Sequence, residues 1–299
     1  MFNNLRRQDI SALLIAGPTA SGKSALALDL ASQHGGEIVN ADSMQVYDVL
    51  DVLTARPAAA DLAQAPHHLY GHVDPRTAYS TGLWMEEAAR KIADIQARGA
   101  LPIVVGGTGL YFRALTGGLS DMPPIPDEIR QTLRDRLETE GVAILHAELA
   151  RLDPDMAARL RPADRQRILR ALEVVKATGR SIQAFQGRGK PAVVDPDRTR
   201  RIVLDPDRKV LHTRINARFE KMVEAGALEE VIQLLSLDIS PQNPAMKAIG
   251  VAQLAEFLAG RMTMDHAIER ASAATRQYAK RQLTWFRNQL GSDWDRVQS

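Results

Sequence analysis

The sequence predicts an α/β protein with a parallel sheet and a helical insertion domain. Two features of its pattern lead to this fold class. Short apolar runs alternate with amphipathic stretches in the first half of the chain, as in parallel sheets with helices on both faces. Strand-like patterning is then absent from about residue 123 to residue 195, where helical spacing takes its place. We therefore divide the chain into an α/β core, 1–122 and 196–299, and a helical insertion, 123–195.

The first half of the chain supplies most of the predicted sheet. Four apolar runs have the length of a strand, and the third is the weakest of them: 11–16, 37–41, 68–73 and 101–105. Helical spacing is clear at 23–33 and 81–98. Ser80 or Thr81 can accept a backbone hydrogen bond where the second helix starts, which is typical of an N-cap.

The second half is predicted to be helical apart from one strand at 201–204. Prolines between 123 and 126 open the insertion and residues 187–191 close it, because proline and glycine mark turns of the chain. Helical spacing occurs three times inside the insertion and four times after the strand: 127–140, 142–150, 165–178, 208–225, 228–235, 251–259 and 264–290.

Composition excludes several classes of protein. The 299 residues contain no cysteine, which excludes a disulfide scaffold, a cysteine nucleophile and a thiolate metal site. No apolar run reaches the roughly 20 residues that span a bilayer, so no membrane association is expected. Residues 1–9 lack the pattern of a secretory signal, and the expected location is the cytoplasm. Taken over the whole chain, the net charge of +2 predicts no polyanionic partner.

A phosphate-binding motif follows the first predicted strand. Residues 17–24 fit G-x-x-x-x-G-K-[ST] and lie between a predicted strand and a predicted helix, as the motif requires. The glycines let successive backbone N–H groups face phosphate oxygens, Lys23 adds a positive charge, and the Ser24 hydroxyl can bind Mg²⁺. The motif predicts a P-loop NTPase-like core that binds a nucleotide, ATP included, or another oligophosphate. Its members are the candidate diphosphate ligands: Gly17, Pro18, Thr19, Ala20, Ser21, Gly22, Lys23 and Ser24.

The ends of the later strands argue against routine hydrolysis of a nucleoside triphosphate. Enzymes of that kind normally hold the metal with a carboxylate at the end of a second strand. The strand at 101–105 ends instead in Gly-Gly-Thr-Gly, residues 106–109. Asp42, after the strand at 37–41, is the one carboxylate suitably placed near the loop. A different substrate with a diphosphate or triphosphate is therefore favoured.

Asp42 and Thr108 each follow a predicted strand and are candidate catalytic residues. Ligands of open α/β sheets bind outside the carboxyl ends of the strands, so both residues should face the phosphate loop. A carboxylate there can deprotonate or orient an attacking group or help to hold a metal, but it can also simply cap the following turn. Thr108 offers either a hydroxyl to the site or an N-cap to the next segment.

Arg218 is the third candidate catalytic residue, as a ligand for a diphosphate. It lies one helical turn after Arg214 on the helix predicted at 208–225. A guanidinium fork matches the geometry of phosphate oxygens. The alternative is that both arginines belong to a solvated face beside the apolar stripe formed by Leu211, Ile215, Phe219 and Met222.

Positive charge is concentrated in two segments. Residues 161–190 contain eight basic and two acidic residues, and 270–287 contain five basic residues, no acidic one, and interleaved aromatic side chains. Such stretches suit a nucleic-acid backbone through charge and through stacking. Each segment alone could be a solvated helix face, but two of them beside a phosphate loop favour a nucleic-acid partner.

The most informative part of the first basic segment is the run from Gln166 to Arg170. These two residues are four apart and share a helix face, with Arg167 adjoining. Ile168 and Leu169 can pack against other helices. Asp164, just before the run, can cap the helix.

These motifs, taken in order, resemble those of the tRNA dimethylallyltransferases. Enzymes of that family transfer an isopentenyl group to the exocyclic amine of the adenosine that follows the anticodon. The resemblance covers nearly the whole chain, and it is specific as a set rather than motif by motif. It rests on seven segments: 17–24, 41–47, 54–57, 66–69, 105–111, 164–174 and 274–286.

The resemblance implies a role for each candidate residue. The loop 17–24 would bind the diphosphate of dimethylallyl diphosphate with Mg²⁺, and Arg218 would assist. Asp42 would take a hydrogen bond or proton from the target amine, and Thr108 would position the reacting groups. The target base would be extruded into a channel, while the helical insertion gripped the anticodon stem, and a monomer would suffice. Contacts to tRNA would come from Asp42, Ser43, Met44, Gln45, Thr108, Arg130, Gln166, Arg167, Ile168, Leu169, Arg170, Lys247 and Gly250.

One departure from the family pattern occurs after Gly250. The family usually has Gly-Tyr followed by a basic residue, whereas this chain has Val251 and Ala252 at those positions. Lys247 can supply the missing charge. The absent tyrosine would alter or weaken a contact to tRNA.

Two functions of other classes are the alternatives. A small-molecule kinase would use the loop on ATP, but it leaves the two basic segments unexplained. A non-enzymatic RNA-binding protein with a relic loop would keep its RNA affinity after loss of Lys23.

Overall fold

A computed structural model describes residues 10–187, 189 and 191–298. Within this part of the chain the strands are β1 Ala12–Ala16, β2 Gly36–Asn40, β3 His67–His68, β4 Leu101–Gly106, β5 Thr199–Leu204 and β6 Asp295–Val297. They form one sheet in the order β3-β2-β4-β1-β5-β6, and every pairing is parallel. The predicted α/β class with a parallel sheet is confirmed.

Helices make up most of the remaining structure. In chain order they are α1 Lys23–His34, α2 Ala59–Leu62, α3 Thr81–Ala97, α4 Gly109–Leu115, α5 Asp127–Thr139, α6 Val142–Leu152, α7 Pro154–Arg159, α8 Arg165–Thr178, α9 Arg208–Glu224, α10 Ala227–Ser236, α11 Val251–Leu258 and α12 Met264–Gln289. Short 3₁₀ helices lie at Ile182–Phe185 and Pro244–Lys247. Ser80 caps α3 by accepting a hydrogen bond from the backbone N of Leu83, as its position before the helix predicts.

The chain divides into two compact units. The first, which we call the sheet unit, runs to Thr116 and resumes at Ala192. The second, the helical unit, is Gly117–Pro191. The sequence placed the borders a few residues later, at 122/123 and 195/196, because prolines 123–126 attract a boundary although they lead directly into α5.

Strand β1 lies at the centre of the sheet unit. It pairs with β4 on one side and β5 on the other, and each of its five residues is buried. A strand covered on both faces is apolar throughout, which explains its continuous hydrophobic run. Strands β1, β4 and β2 are neighbours, so their carboxyl ends meet at one edge of the sheet.

The helical unit has a hydrophobic core of its own. Ile168, Ala171 and Leu172 of α8 are fully buried and pack with leucines of α5 and α6. Asp164 accepts a hydrogen bond from the backbone N of Arg167 over 3.2 Å, so the predicted cap of α8 is confirmed.

Several local predictions were wrong or incomplete. The strand expected at 68–73 is limited to His67–His68, because the chain turns at Leu69 and Gly71, where φ is positive. Helices α4 and α7 and strand β6 were not predicted, being short. Two predictions depend on residues outside the described part of the chain. The expected absence of a secretory signal depends on residues 1–9, and the count of basic residues in 161–190 includes Arg188 and Lys190. No helix of the described part is long and apolar enough to cross a membrane.

Candidate active site at the strand ends

The phosphate loop, residues 17–24, connects β1 to α1. Its first backbone N–H, at Gly17, donates to the carbonyl of Gly106 on β4 over 3.2 Å. The loop then curls through left-handed backbone at Ala20, with φ 61°, and at Gly22, with φ 87°. Gly22 precedes α1, so the positive end of the helix dipole and its free N–H groups face the same space. This geometry suits an anionic ligand.

Lys23 and Arg218 bring positive charge to this loop. Burial is the main reason that the pKa of Lys23 falls to about 8; the nearby Arg218 lowers it further, while Asp42 opposes the change. Arg218, on α9, donates from Nη1 to the Thr19 hydroxyl over 3.3 Å and is half-buried, whereas Arg214 is exposed. Burial also lowers the pKa of Arg218. The placement of Arg218 favours a diphosphate ligand over a solvated helix face.

Asp42 follows β2, and one of its two carboxyl oxygens accepts a hydrogen bond from the protein. Its Oδ1 accepts the backbone N–H of Met44 over 2.9 Å, so the residue does cap the following turn. The side chain of Asn40 fixes Asp42 from the other side, accepting its backbone N–H over 2.8 Å. Oδ2 of Asp42 makes no hydrogen bond within the described part of the chain. The cap therefore orients the carboxylate and leaves one oxygen for a substrate.

Thr108 follows β4 and ties its loop to that of β2. Its Oγ1 accepts the backbone N–H of Ser43 over 2.9 Å and lies 3.3 Å from the Ser43 hydroxyl. Its backbone N–H donates to the carbonyl of Ala41 over 3.1 Å. The hydroxyl does not cap α4, although Thr108 occupies the N-cap position. A Cβ at Gly106 would collide with the Ala41 carbonyl, which explains the glycine at this close approach.

Gln282 is a site residue that the sequence did not reveal. It lies on α12, is 5% exposed, and uses both ends of its amide. Oε1 accepts the backbone N–H of Thr19 over 3.0 Å, and Nε2 donates to the carbonyl of Gly107 over 2.9 Å. One side chain thus connects the phosphate loop to the turn after β4. A single glutamine in a helix has no sequence pattern from which hydrogen bonds to such distant segments could be predicted.

Thr19, Asp42 and Arg218 line a cavity of about 290 Å³. Its polar wall includes Thr19, Asp42, Arg218 and Lys247, and its apolar wall is formed by Leu53, Ile215, Phe219, Met222 and Ile249. Tyr278 and Arg281 of α12 complete the lining, with the guanidinium 5.7 Å from the centre of the tyrosine ring. The cavity can therefore receive a substrate with an anionic end and an apolar or aromatic part.

Three tyrosines stand within electrostatic reach of Asp42. Burial raises the pKa of Tyr70, Tyr111 and Tyr278, and the negative charge of Asp42 raises each of them further. Tyr111 is held by stacking on Trp84, with ring centres 3.9 Å apart. All three phenols therefore stay neutral at physiological pH.

Lys247 and Gly250 lie near the cavity in different ways. Lys247 is exposed and contributes to the lining at the end of a 3₁₀ helix. Gly250 is buried with φ +107°, and a Cβ there would crowd Leu53 and Phe219. Val251, in place of the family's tyrosine, is 1% exposed. Gly250 thus has a backbone requirement of its own, separate from any contact to a substrate.

The candidates in the helical unit differ widely in exposure. Gln166 and Arg167 are exposed, Arg130 and Arg170 are half-exposed, and the last two pair with Asp127 and Glu173. Ile168 is fully buried in the core of the unit and Leu169 packs against that core. The side chain of Ile168 therefore supports α8 and does not face solvent.

Ser24 is the candidate protein ligand for Mg²⁺. Ser24 is exposed at the first turn of α1, so its hydroxyl is accessible. No group of three His, Cys, Asp or Glu side chains within the described residues could hold a metal alone. This fits Mg²⁺, which commonly binds through one or two protein oxygens together with substrate phosphates and water.

The fold and the site define a P-loop protein in which Thr108 follows the strand beside the one that leads into the phosphate loop, and Asp42 follows the next strand along. The family model described as IPP transferase matches residues 45–289. A relative from Agrobacterium fabrum (strain C58), named tRNA dimethylallyltransferase, is 58% identical over 298 residues and is covered completely, as is this chain. A relative of the same name from Rhizobium meliloti (strain 1021) is 57% identical over 298 residues, covering 100% of this chain and 98% of the relative.

Solved structures show the same relationship. The full-length tRNA isopentenylpyrophosphate transferase of Bacillus halodurans is 35% identical, with a TM-score of 0.67 over 96% of this chain and 89% of that one. A eukaryotic dimethylallyltransferase captured acting on tRNA is 30% identical, with a TM-score of 0.79 over 96% of this chain and 73% of that one. The chain belongs to the IPP transferase family, and it is a prenyltransferase.

Proposed function

We propose that this enzyme transfers a dimethylallyl group from dimethylallyl diphosphate to the exocyclic amine of the adenosine 3′ of the anticodon in tRNA, releasing diphosphate. One observation carries the proposal. The phosphate loop, Asp42 and Thr108 follow three neighbouring strands, and Thr19, Asp42 and Arg218 face one cavity. The names of the relatives, which describe dimethylallyl transfer to tRNA, support the same substrates.

The phosphate loop is suited to the donor diphosphate. Its N–H groups and the charge of Lys23 face the anion, while Arg218 approaches from α9 through Thr19. Mg²⁺ would be held by the Ser24 hydroxyl and phosphate oxygens, and when bound it neutralises charge on the departing diphosphate. The apolar wall of the cavity, with Leu53, Phe219 and Met222, is compatible with the five-carbon chain.

The acceptor amine is activated by Asp42. The target base is extruded from its stack so that its amine reaches the cavity. The amine nitrogen attacks the first carbon of the allyl group, the carbon–oxygen bond breaks, and its electron pair leaves with the diphosphate. Asp42 Oδ2, which no protein hydrogen bond occupies in the described residues, takes the amine proton. Thr108 keeps the two strand-end loops together while this occurs.

Several exposed cations are available for the tRNA backbone. In the helical unit these include Arg130, Arg167 and Arg170, beside Gln166. In the sheet unit Lys247 lines the cavity, and Lys280 lines a surface groove of about 710 Å³ together with Arg276 and Arg287. Cations of this kind contribute affinity by displacing the counterions of the phosphates. We propose that the enzyme acts as a monomer in the cytoplasm.

The proposal is tested by one transfer assay. The protein is incubated with labelled dimethylallyl diphosphate, Mg²⁺ and unmodified tRNAs, including some whose anticodon ends in adenosine. We expect label in the adenosine 3′ of the anticodon. Absence of label from every tRNA would overturn the proposal. Parallel reactions with γ-labelled ATP test the kinase, which predicts phosphate transfer instead.

A further inference from the structure

The apolar wall of the cavity includes a turn that has no regular secondary structure. Residues 51–55 form this turn, which we call the wall turn. Leu53 and Thr54 of the turn line the cavity opposite α9. The turn has two backbone hydrogen bonds of its own, from Ala55 N–H to the Val52 carbonyl and from Arg56 N–H to the Asp51 carbonyl. The backbone N–H groups of residues 51–53 take their partners from elsewhere.

Glu230 on α10 supplies those contacts from one side. Its Oε1 accepts the backbone N–H groups of Asp51 over 2.9 Å and Val52 over 2.5 Å. Its Oε2 accepts the backbone N–H of Leu53 over 3.0 Å. One carboxylate thus satisfies three consecutive backbone donors on a segment that lies 177–179 residues away in the sequence. Hydrogen bonds to an ionised acceptor are stronger than neutral ones.

Gln45 holds the same turn from the other side. Its Nε2 donates to the carbonyls of Thr54 over 3.0 Å and Ala55 over 2.9 Å. Ala55 has φ 49°, an unfavourable backbone conformation that such contacts stabilise. Gln45 lies three residues after Asp42, so a short segment connects the wall turn to the proposed proton acceptor.

We infer that Glu230 is a positioning residue that, with Gln45, fixes the apolar wall of the cavity before substrate binds. This inference rests on the proposed function and specifies how its cavity is shaped. Leu53 belongs both to the wall turn and to the apolar wall, and it packs so close to Gly250 that a Cβ there would collide with it. A shift of the turn would therefore move part of the apolar wall. Within the described part of the chain, the hydrogen bonds of Glu230 go to the wall turn. Glu230 therefore affects alignment of the donor's five-carbon chain more than binding of its diphosphate.

The charge and shape of Glu230 make graded variants informative. In Glu230→Gln the amide keeps one acceptor oxygen, so at least one backbone N–H loses its partner; Glu230→Ala leaves all three without one. Small misplacements near reacting atoms cost up to about 10²-fold in rate. We expect single-turnover transfer to fall roughly tenfold in Glu230→Gln and roughly a hundredfold in Glu230→Ala. Affinity for inorganic diphosphate should remain within about twofold of wild type.

The matched control is Glu229→Gln, which removes the same charge from the neighbouring exposed position of α10. It should leave transfer unchanged. Hydrogen exchange provides a readout besides activity: the amides of residues 51–53 should exchange faster in Glu230→Gln, while those of β1 and β4 keep their protection.

Unchanged transfer in Glu230→Gln would overturn the inference, as would an equal loss of diphosphate affinity, which indicates a general disturbance of the fold. If wild type transfers nothing to tRNA, the proposed function fails. Amide hydrogen exchange of residues 51–53 then tests the role of Glu230 independently of activity. Unchanged exchange in Glu230→Gln would refute that role.

Discussion

The side chain of Gln282 accepts the backbone N–H of Thr19 over 3.0 Å, which attaches the phosphate loop to α12. Its other end is bound to Gly107, so the donor loop and the turn bearing Thr108 keep a fixed separation. Replacement by methionine retains the length of the side chain and removes both hydrogen bonds. We expect Gln282→Met to lower single-turnover transfer by tenfold or more, in the range of about 10–10²-fold for a misplaced reacting group.

Gln277→Met is the control for this change, because Gln277 lies on the exposed face of the same helix. It should leave donor binding and folding unchanged. Wild-type rates in Gln282→Met would show that the two loops hold their positions without the glutamine.

Lys23 predicts a pH dependence of diphosphate binding. Its pKa in the free protein is about 8, so it is mostly charged below that pH and mostly neutral above it. A bound anion favours the charged form, so binding above pH 8 must take up a proton, and affinity must fall as pH rises. Calorimetry of diphosphate binding in buffers of different ionisation enthalpy should detect that uptake at pH 8.5 and little of it at pH 6.5. Equal proton uptake at both values would contradict the assignment to Lys23.

Stability should respond to the same group with the opposite sign. The pKa of Lys23 is lower in the folded protein than the 10.5 of a free lysine. The unfolded chain therefore binds more protons between pH 8 and 10.5, and this residue makes stability rise with pH in that window. Urea denaturation of wild type and Lys23→Met should show a rise that the variant lacks. The variant should also be the more stable protein at pH 7.

Asp42 can be tested with its structural role preserved. Asparagine keeps the oxygen that accepts the Met44 N–H, but it cannot take a proton at physiological pH. General base catalysis contributes about 10²–10⁴-fold, so we expect kcat of Asp42→Asn to fall by that order. tRNA affinity, measured by filter binding, should change only a few-fold. Equal losses of affinity and rate would assign Asp42 a mainly structural role.

The exposed arginines of α8 predict a change in the salt dependence of tRNA binding. Arg167 is 76% exposed at its side chain, and Arg170 is 34% exposed. Each phosphate contact contributes roughly one to the slope of log affinity against log salt. Arg167→Ala together with Arg170→Ala should flatten that slope by up to about two. Arg261→Ala, which removes one surface arginine paired with Glu256, is the control for the loss of a positive charge elsewhere, and an unchanged slope in the double variant would exclude α8 from the RNA interface.

We expect Gly250→Ala to lower the stability of the fold rather than to remove a contact to RNA. Alanine there must adopt φ +107° and place its Cβ against Leu53 and Phe219. Strain of this kind costs about 1–3 kcal/mol. Gly260→Ala is the control, because Gly260 also has positive φ but nothing within 4 Å of a Cβ. Urea denaturation should show a clearly larger loss for Gly250→Ala, and equal losses would remove the packing argument.

Much of the fold was predictable because its elements are long or fully buried. Helix α8 begins and ends where the spacing predicts, since Asp164 caps its start and Gly179 ends it in left-handed backbone. Strand β6 was missed because it has three partly exposed residues and exists only through pairing with β5. Helix α4 was missed because its glycine-rich start resembles a turn more than a helix.

The site divides in a similar way. The phosphate loop, Asp42 and Thr108 lie at strand ends, so their chemistry and the rule for parallel sheets were enough to place them. Gln282 and Glu230 act through backbone groups more than 170 residues away. Such contacts depend on tertiary packing, and one sequence carries no local sign of them. The packing of Ile168, by contrast, was predicted from its apolar side chain, and the residue is fully buried in the helical unit.

The sheet unit closes on itself where the helical unit is inserted. Val193, just after the return of the chain, donates its backbone N–H to the carbonyl of Leu115, just before its departure, over 2.8 Å. Within the insertion, Ser120 and Gly189 form an antiparallel bridge. The two ends of the insertion therefore lie close together. For this reason the length of the insertion adds little to the entropy cost of closing the sheet unit. An insertion joined in this way can change in length without opening the sheet unit.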